Sequence, residues 1–370
     1  MEDTARYDVM QRWQVVQHEL IPGLESELDG LTPKLEKLIH MLEWVRLEEF
    51  VPSSWCGEGR PPHERSWLAN AFIAKAVLGI DTTVGLIERL QVDRRLRRLC
   101  GFMRWQRLPS ESTFSRAFAE FSASRLGERV HEVLVKNTLG DRLIGHLSRD
   151  STAIESRERP VKAEKSEKAP VKAPKRRGRP RRGEVREPAK ESKVQKQRRQ
   201  TLPEMLADIP KACDRGTKQN AKGYKTSWNG YKLHIDTADC GIPVSVLLSS
   251  ASMHDSLAAI PLSLISASRV TNCYDLMDAA YCCADLREHS RELGHVPLID
   301  HNPRGGEKIE FAPHEARRYD ERTAAERTNA RLKDEFGASN LRVKGAVKVM
   351  GHLMFGILAL TVDQLMRCRW

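Results

Sequence analysis

The sequence predicts an α/β protein in which an all-α N-terminal region precedes a core built on a mixed sheet. Before residue 136 the apolar residues recur at helical spacing, whereas after residue 222 they alternate or form the short runs typical of strands. A long basic segment separates the two regions. The 370 residues suffice for two or three domains, and we predict a helical domain (1–135), a first core strand (136–156), a basic arm (157–222) and the rest of the core (223–370).

Four helices are predicted before the basic segment. Thr32 followed by Pro33 is a typical helix start, and Ser110 is a typical N-cap. Short helices joined by tight turns resemble a helix-turn-helix unit, although many helical bundles share this pattern. DNA binding, dimerisation and a purely structural role therefore remain open for this domain. The predicted helices span Leu35–Glu48, Ser66–Leu78, Thr82–Leu99 and Ser110–Phe121.

The predicted elements of the core follow the order β, β, β, α, β, α, β, α, which is the order of an RNase H-like domain. Residues 239–241 provide the turn between the second and third strands. The strands are Leu143–Leu147, Tyr231–Ile235, Ile242–Leu247, Cys273–Met277 and Pro297–Ile299. The helices are Ser256–Ser266, Cys283–Leu293 and Tyr319–Lys333, and Val347–Arg367 closes the chain.

The positive charge of the chain lies mostly in the arm. The net charge is +11, and residues 157–200 hold 18 Lys or Arg against 6 Asp or Glu, so they carry +12 and the remainder −1. This segment has too few large apolar residues to fold alone, and we predict that it is disordered. Its centre reads PKRRGRPRR, and Arg177 and Arg179 within it resemble an AT-hook that enters the minor groove of A/T-rich DNA. The alternative is a charge run that only aids solubility.

The sequence argues against a zinc site, a disulfide framework, a signal peptide and a membrane-spanning helix. The eight cysteines include no CxxC pair, so a zinc site or a disulfide framework is not expected and a reducing cytoplasm fits better. The N-terminus lacks the pattern of a signal peptide. The apolar run Leu353–Val362 is too short to span a bilayer and predicts a buried helix, so no membrane partner is expected.

Acidic residues follow two of the predicted strands. Asp150 lies just past the first strand and Asp278 at the carboxyl end of the fourth. Ligands and metals gather at such strand ends in α/β sheets. Asp275, Asp255 and Asp300 are rival candidates, with Asp275 expected inside its strand.

The stretch YDERTAAERTNARLK supplies a third acid. On an ideal helix Tyr319, Arg322, Glu326 and Lys333 fall within about 60° of one another. A separate apolar stripe, formed by Ala325, Leu332 and Phe336, can bury against the core. A carboxylate held among two cations and a phenol suits a metal-binding acid that faces a phosphate backbone, whereas the alternative is a solvated charged face.

In combination these motifs resemble those of bacterial insertion-sequence DDE transposases with a Tyr-Arg-Glu-Lys signature. The stretches DSTAIESRE, YKLHID, MDAAYC and GHLMFGILALTVDQL resemble the core of that class. The run from GRPPHERSWLANAFIAKAVLGI to GFMRWQRLPSESTFSRAF resembles its helical domain, and the likeness covers roughly residues 35–367. Two features depart from some relatives. No large insertion fits between Asp278 and Glu326, and the basic arm lies between the first two core strands.

The resemblance implies an RNase H-like catalytic core that cuts DNA at transposon ends. By resemblance, Asp150, Asp278 and Glu326 bind Mg²⁺ as two ions, with Mn²⁺ as a substitute. Carboxylate oxygens suit these ions, and a metal pair supports in-line phosphoryl transfer.

The resemblance further implies that Tyr319, Arg322 and Lys333 grip the backbone of the transposon end. Lys232 is either a DNA contact or a solvent-facing strand residue. The expected partners are double-stranded transposon ends and target DNA, with a homodimer formed on DNA. The alternative function is a non-catalytic, transposase-derived DNA-binding protein or repressor, and a stand-alone nuclease is a third possibility.

Overall fold

A six-stranded mixed sheet lies between helices on both faces. The computed structural model describes residues 31–51, 63–103, 105–161, 191–219, 223–303 and 306–368. The strands are β1 (Leu143–Glu155), β2 (Asp214–Gln219), β3 (Lys225–Ala238), β4 (Pro243–Ser250), β5 (Thr271–Met277) and β6 (Val296–Ile299). The main path is β2-β3-β1-β5-β6, and β4 also pairs with β3. The β1–β5 and β5–β6 pairs are parallel, and the other pairs are antiparallel.

The described helices fall into two groups. The N-terminal group is α1 (Pro33–Val45), α2 (Arg65–Val77), α3 (Thr83–Val92), α4 (Arg94–Leu99), α5 (Glu111–Ala123) and α6 (Leu126–Leu139). The later group is α7 (Lys193–Gln197), α8 (Leu202–Asp208), α9 (Ser256–Ala267), α10 (Ala284–Glu292), α11 (Pro313–Tyr319), α12 (Thr323–Asp334) and α13 (Ala346–Arg367).

The N-terminal helices largely match the predictions, with two differences. Thr32 is the N-cap of α1 with Pro33 at its first turn, and Ser110 is the N-cap of α5, as predicted. The predicted helix Thr82–Leu99 is instead two helices, because Asp93 adopts an extended conformation and its side chain accepts a hydrogen bond from the Leu96 N–H. Helix α6 was not predicted.

The C-terminal helix α13 joins the two regions. It packs against α1, α2, α5 and α6 as well as against α12 and β4. The Phe355 ring on α13 lies 5.5 Å from the Phe72 ring and 6.3 Å from the Phe118 ring. Among the described helices, α13 alone is long and apolar enough to cross a membrane, and most of it is buried. The last helix of the chain therefore completes the core of the N-terminal helices.

The prediction of a disordered arm is wrong for residues 191–219, which form α7, α8 and β2. Val194 and Met205 are buried against α9, so sparse apolar residues anchor this segment on an existing surface. Strand β2 pairs with the first half of β3, from Asp214 opposite Gly230 to Gln219 opposite Lys225. Residues 162–190, including Arg177 and Arg179, lie outside the described residues.

A buried ion pair links β1 to β3. The Arg149 guanidinium donates to both Asp236 carboxylate oxygens at 2.7 Å, and the two side chains are 4% and 0% exposed. Ser266 on α9 also donates to Asp236 at 2.6 Å, and Arg149 lies 3.6 Å from the Met277 sulfur. Because a buried charge is costly without such partners, each member of the pair depends on the other.

Removing one charge of this pair should strongly destabilise the fold. Asp236→Asn keeps the side-chain shape but leaves the Arg149 charge uncompensated, so we expect a loss of about 3–5 kcal/mol in the free energy of unfolding. Glu120→Gln is the control, because Glu120 pairs with Arg65 at 3.0 Å on the surface and should cost less than about 1 kcal/mol. Urea unfolding monitored by circular dichroism measures both. Equal losses in the two variants would contradict the role of the buried pair.

Candidate active site

Strand register places two aspartates side by side. Arg149 of β1 is opposite Met277 of the parallel strand β5. The next residues are Asp150 in β1 and Asp278 directly after β5, and the charge of Asp278 raises the pKa of Asp150. Asp278 directly follows β5, as predicted, whereas Asp150 lies inside β1. The difference arises because β1 continues to pair with β3 as far as Glu155.

Each aspartate is oriented by a neighbour. Asp150 accepts a hydrogen bond from the Asn329 side chain on α12 at 3.0 Å. Asp278 accepts one from the Ala280 N–H at 2.9 Å, at the start of a short 3₁₀ turn. Asn329 is 6% exposed, and its side-chain oxygen has no hydrogen-bond partner among the described residues. The sequence pattern did not identify Asn329, since only the packing of α12 on β1 brings it to Asp150.

Burial raises the pKa of both carboxyls above its ordinary value. For Asp150 the neighbouring Asp278 adds to this shift, and for Asp278 the neighbouring Asp255 does so. Arg322 and Lys218 act in the opposite direction on both. Burial is thus the main obstacle to charging the two carboxyls, and a bound cation would offset it.

Glu326 stands apart from this pair. Its carboxylate accepts a hydrogen bond from Arg322 at 2.5 Å and is 54% exposed. Across the described residues, no three His, Cys, Asp or Glu side chains are close enough together to hold a metal ion. The structure therefore brings Asp150 and Asp278 together, but does not bring Glu326 to them.

The helix predicted from Tyr319 to Lys333 is interrupted. Helix α11 ends at Tyr319, a 3₁₀ turn spans Asp320–Arg322, and α12 begins at Thr323. The tighter turn changes the direction of Tyr319 relative to a continuous α-helix. The predicted apolar stripe is confirmed, since its three members are at most 3% exposed.

Arg322 nevertheless connects several predicted residues. Its guanidinium carbon lies 5.9 Å from the centre of the Tyr319 ring, and its charge acts on Asp150 and Asp278. Burial and the nearby Asp300 and Asp278 raise the pKa of Tyr319 to about 12, despite Arg322. Tyr319 therefore remains a neutral phenol near the acidic pair.

Lys333 and Lys218 add positive charge near the acidic pair. Burial lowers the pKa of Lys333, whose surroundings include Glu155, Lys218 and Asp150. Lys218 is exposed on β2. The sequence placed Lys218 in the disordered arm and so missed it, and only the pairing of β2 with β3 brings it near Asp150 and Asp278.

Lys232 is engaged inside the protein. Its ammonium group donates to the Met253 carbonyl and to the Asp255 carboxylate, both at 2.9 Å. The two side chains of the ion pair are 16% and 19% exposed. These contacts place Lys232 beside Asp255 and do not leave it as a solvent-facing strand residue.

Tyr281 is a further residue that the sequence did not single out. It is 1% exposed, and its hydroxyl has no hydrogen-bond partner among the described residues. The charges of Asp255, Asp150 and Asp278 all act on it. Its position three residues after Asp278, in the stretch MDAAYC, was the available signal.

The other rival aspartates have different surroundings. Asp275 is 2% exposed and bonded to Asn272, Ser290 and His295, so it belongs to the packing beneath β5 and β6. Asp300 follows β6, and its N–H donates to the Met277 carbonyl at 3.1 Å, but its carboxylate pairs with Lys308.

Two family comparisons cover most of the chain. Residues 23–120 match a family described as a transposase domain (DUF772), and residues 189–362 match a family described as a transposase DDE domain. The second match contains the predicted acids Asp278 and Glu326, and Asp150 lies between the two matched ranges. Comparison with curated proteins and with solved structures finds no match.

Neutralising either buried acid should stabilise the metal-free protein at neutral pH. A carboxyl whose pKa is raised on folding contributes stability at acidic pH that is lost as the pH rises through the folded pKa. Asp150→Asn and Asp278→Asn should therefore match the wild type below the ordinary carboxyl pKa of 3.8, gain in melting temperature over it as the pH rises through the folded pKa, and keep a constant advantage at higher pH. Scanning fluorimetry in EDTA measures this.

Glu335→Gln is a control for which the opposite effect on stability is expected. The hydrogen bond from Arg331 lowers the pKa of Glu335, so its contribution to stability is present at neutral pH and lost as the pH falls. This variant should be slightly less stable than the wild type at neutral pH. If the two aspartate variants behaved in the same way, burial would not be the dominant influence on the acidic pair.

Proposed function

The chain belongs to the DDE transposases of insertion sequences, and we propose that it binds transposon ends, hydrolyses DNA phosphodiesters and transfers the resulting 3′-hydroxyl strand into target DNA. The observation that carries this proposal is the pair Asp150 and Asp278, side by side where β1 and β5 part, with Arg322 close to both. Leaving out β2, the strand order β4-β3-β1-β5-β6 is that of an RNase H-like core, which supports the assignment.

The donor set fits a divalent metal. Two mutually repelling carboxylates and the unpartnered Asn329 oxygen are hard oxygen ligands, which suit Mg²⁺ with Mn²⁺ as a substitute. We propose that Asp150 and Asp278 hold the metal, as two ions, and that Glu326 completes the site when Arg322 turns from it to DNA. When bound, the ions supply Lewis-acid activation of the phosphate and of water.

The protein's own residues orient the acids and the DNA. Asn329 and the Ala280 N–H fix the two aspartates, and Lys232 holds Asp255 beside them. Arg322, Tyr319 and Lys333 are proposed to contact the phosphate backbone, because a phenol and two cations lie near the acidic pair. We propose that Arg177 and Arg179 of the basic arm add contacts with little sequence preference.

The proposed chemistry has two displacements at phosphorus. In the first, a water oxygen bonds to phosphorus, the bond to O3′ breaks, and the leaving oxygen gains a proton to become the 3′-hydroxyl. In the second, that hydroxyl oxygen bonds to a target phosphorus and gives up its proton, while a target O3′ leaves. Both displacements need the same carboxylates and cations. We propose that a homodimer formed on DNA brings two transposon ends together.

Cutting should require a small divalent metal and all three acids. With Mg²⁺ or Mn²⁺ the protein should nick end DNA, but not with Ca²⁺ alone, which accepts a looser geometry. Asp150→Asn, Asp278→Asn and Glu326→Gln should each reduce cutting by more than about 100-fold while end binding persists. Denaturing gels of labelled duplexes measure the products.

Glu335→Gln provides a matched control for Glu326, because both glutamates pair with an arginine four positions away along the chain. Cutting by this variant should be unchanged. A wild-type protein that binds end DNA but cuts with none of these metals would favour the non-catalytic repressor instead.

The cations near the acids should matter for both binding and cutting. Arg322→Ala and Lys333→Ala should each weaken end binding and lower the dependence of log affinity on log salt by about 1, as expected for one lost phosphate contact. Arg327→Ala is the control, since Arg327 is an exposed arginine of the same helix. Fluorescence anisotropy at several salt concentrations measures the slopes. Equal slopes in the wild type and in all variants would mean that the side chains of Arg322 and Lys333 face solvent and do not contact DNA.

A further inference from the structure

Positive charge is concentrated a second time in the N-terminal helices. Residues 94–116 contain seven Arg and one Glu, with no Lys or Asp, giving 7 − 1 = +6. Because the chain outside residues 157–200 sums to −1, everything outside both segments sums to −1 − 6 = −7. This second cluster is therefore a local property of α4, α5 and the loop between them.

The described residues of the loop between α4 and α5 are held by packing and hydrogen bonds. The Arg97 guanidinium on α4 donates to the Met103 carbonyl at 3.0 Å and also to the Gln106 carbonyl. The ring of Phe102 packs 5.8 Å from Trp67 and 6.3 Å from Phe114. Residues 100–103 and 105–110 thus present their outer side chains on a defined surface.

Those outer side chains are arginines and one large aromatic. Arg94 and Arg98 are exposed one turn apart on α4, and Arg107 is exposed in the loop. Trp105 is 83% exposed. Within the described part of the chain, no carboxylate forms an ion pair with these three arginines. An exposed indole beside unpaired guanidinium groups is typical of a surface that binds a partner.

The solvent face of α5 continues this surface. Its buried side packs on Phe72 through Phe114 and Phe118, which leaves Ser112, Ser115 and Arg116 exposed on the other side. Hydroxyl groups and free N–H groups at a helix start favour a phosphate. We call α4, residues 100–103 and 105–110, and the first two turns of α5 the arginine face.

We propose that the arginine face binds duplex DNA and engages the transposon end. The positive charge of the arginine face decides between two candidate partners, a second copy of the chain and duplex DNA. A second copy docked through the same face would set +6 against +6, whereas duplex DNA offers one negative charge per about 1.7 Å of its axis. The inference rests on the proposed function, and it adds to the contacts proposed for Arg322 and Lys333 a second end-binding surface, separate from the acidic pair.

Paired arginine variants of the full-length protein test this face. Arg94→Ala with Arg98→Ala, and separately Arg107→Ala with Arg116→Ala, should each weaken binding of short labelled duplexes from the DNA flanking the gene by about tenfold or more and lower the salt slope by about 2. Trp105→Ala should also weaken binding. Hydroxyl-radical footprints of the wild type should show protection that the variants lose.

The control pair carries the same loss of charge. Arg65→Ala with Arg89→Ala removes two arginines of the same region, each of which pairs with a carboxylate, and should leave affinity nearly unchanged. Unchanged affinity and footprints in both arginine-face variants would overturn the inference. So would a change of mass by light scattering without DNA in Trp105→Ala, accompanied by normal DNA binding, because the face would then join two copies.

Failure of this inference can be distinguished from failure of the proposed function. The arginine-face variants keep the acids, so at saturating protein they should still nick DNA with Mn²⁺, whereas Asp150→Asn should bind and not cut. If the wild type cuts but the arginine-face variants bind normally, only the inference fails. If the variants lose binding and the wild type never cuts, only the proposed catalysis fails.

Discussion

The buried pair of Arg149 and Asp236 is the constraint on which the geometry of the site depends. Successive residues of a strand point to opposite faces of the sheet, so Arg149 faces α9 while Asp150 faces α12. Arg149 is held by both Asp236 oxygens and lies against Met277, the residue opposite it on β5. An ion pair this deeply buried tolerates little movement, because losing one partner leaves an uncompensated charge. The register of β1 against β3 and β5, and with it the spacing of Asp150 and Asp278, follows from that pair.

Much of the fold could be predicted from the sequence because its elements carry strong local signals. Apolar alternation and turn residues located five of the six strands, and helical spacing with Thr32 and Ser110 as caps located most N-terminal helices. The predicted position of Asp278 at the end of its strand matches the structure. In each of these cases the signal lies within a few neighbouring residues.

The parts of the fold and the site that the sequence did not predict depend on contacts between distant parts of the chain. Strand β2 lies in a segment whose composition resembles a linker. It is ordered by pairing with β3, and Val194 and Met205 anchor the preceding helices against α9. Asn329 reaches Asp150 across 179 positions of sequence. The 3₁₀ turn before Thr323 breaks the helical geometry that placed Tyr319 with Glu326. No local pattern in one sequence contains this information.

A continuous set of packed elements joins the arginine face to the acidic pair. Helix α5 packs through Phe118 on Phe355 of α13, and Asp363 of the same α13 is 4% exposed and bonded to Arg331 of α12. Helix α12 in turn carries Asn329 and Glu326. Lys37 of α1 also pairs with Asp363, so three helices meet at one buried carboxylate. Since interiors are close-packed and deform little, these contacts fix the separation between the proposed end-binding surface and the acids. If a DNA duplex spans the arginine face and the acids, the distance between its two contacts is therefore set, which is what cutting at a defined transposon end requires.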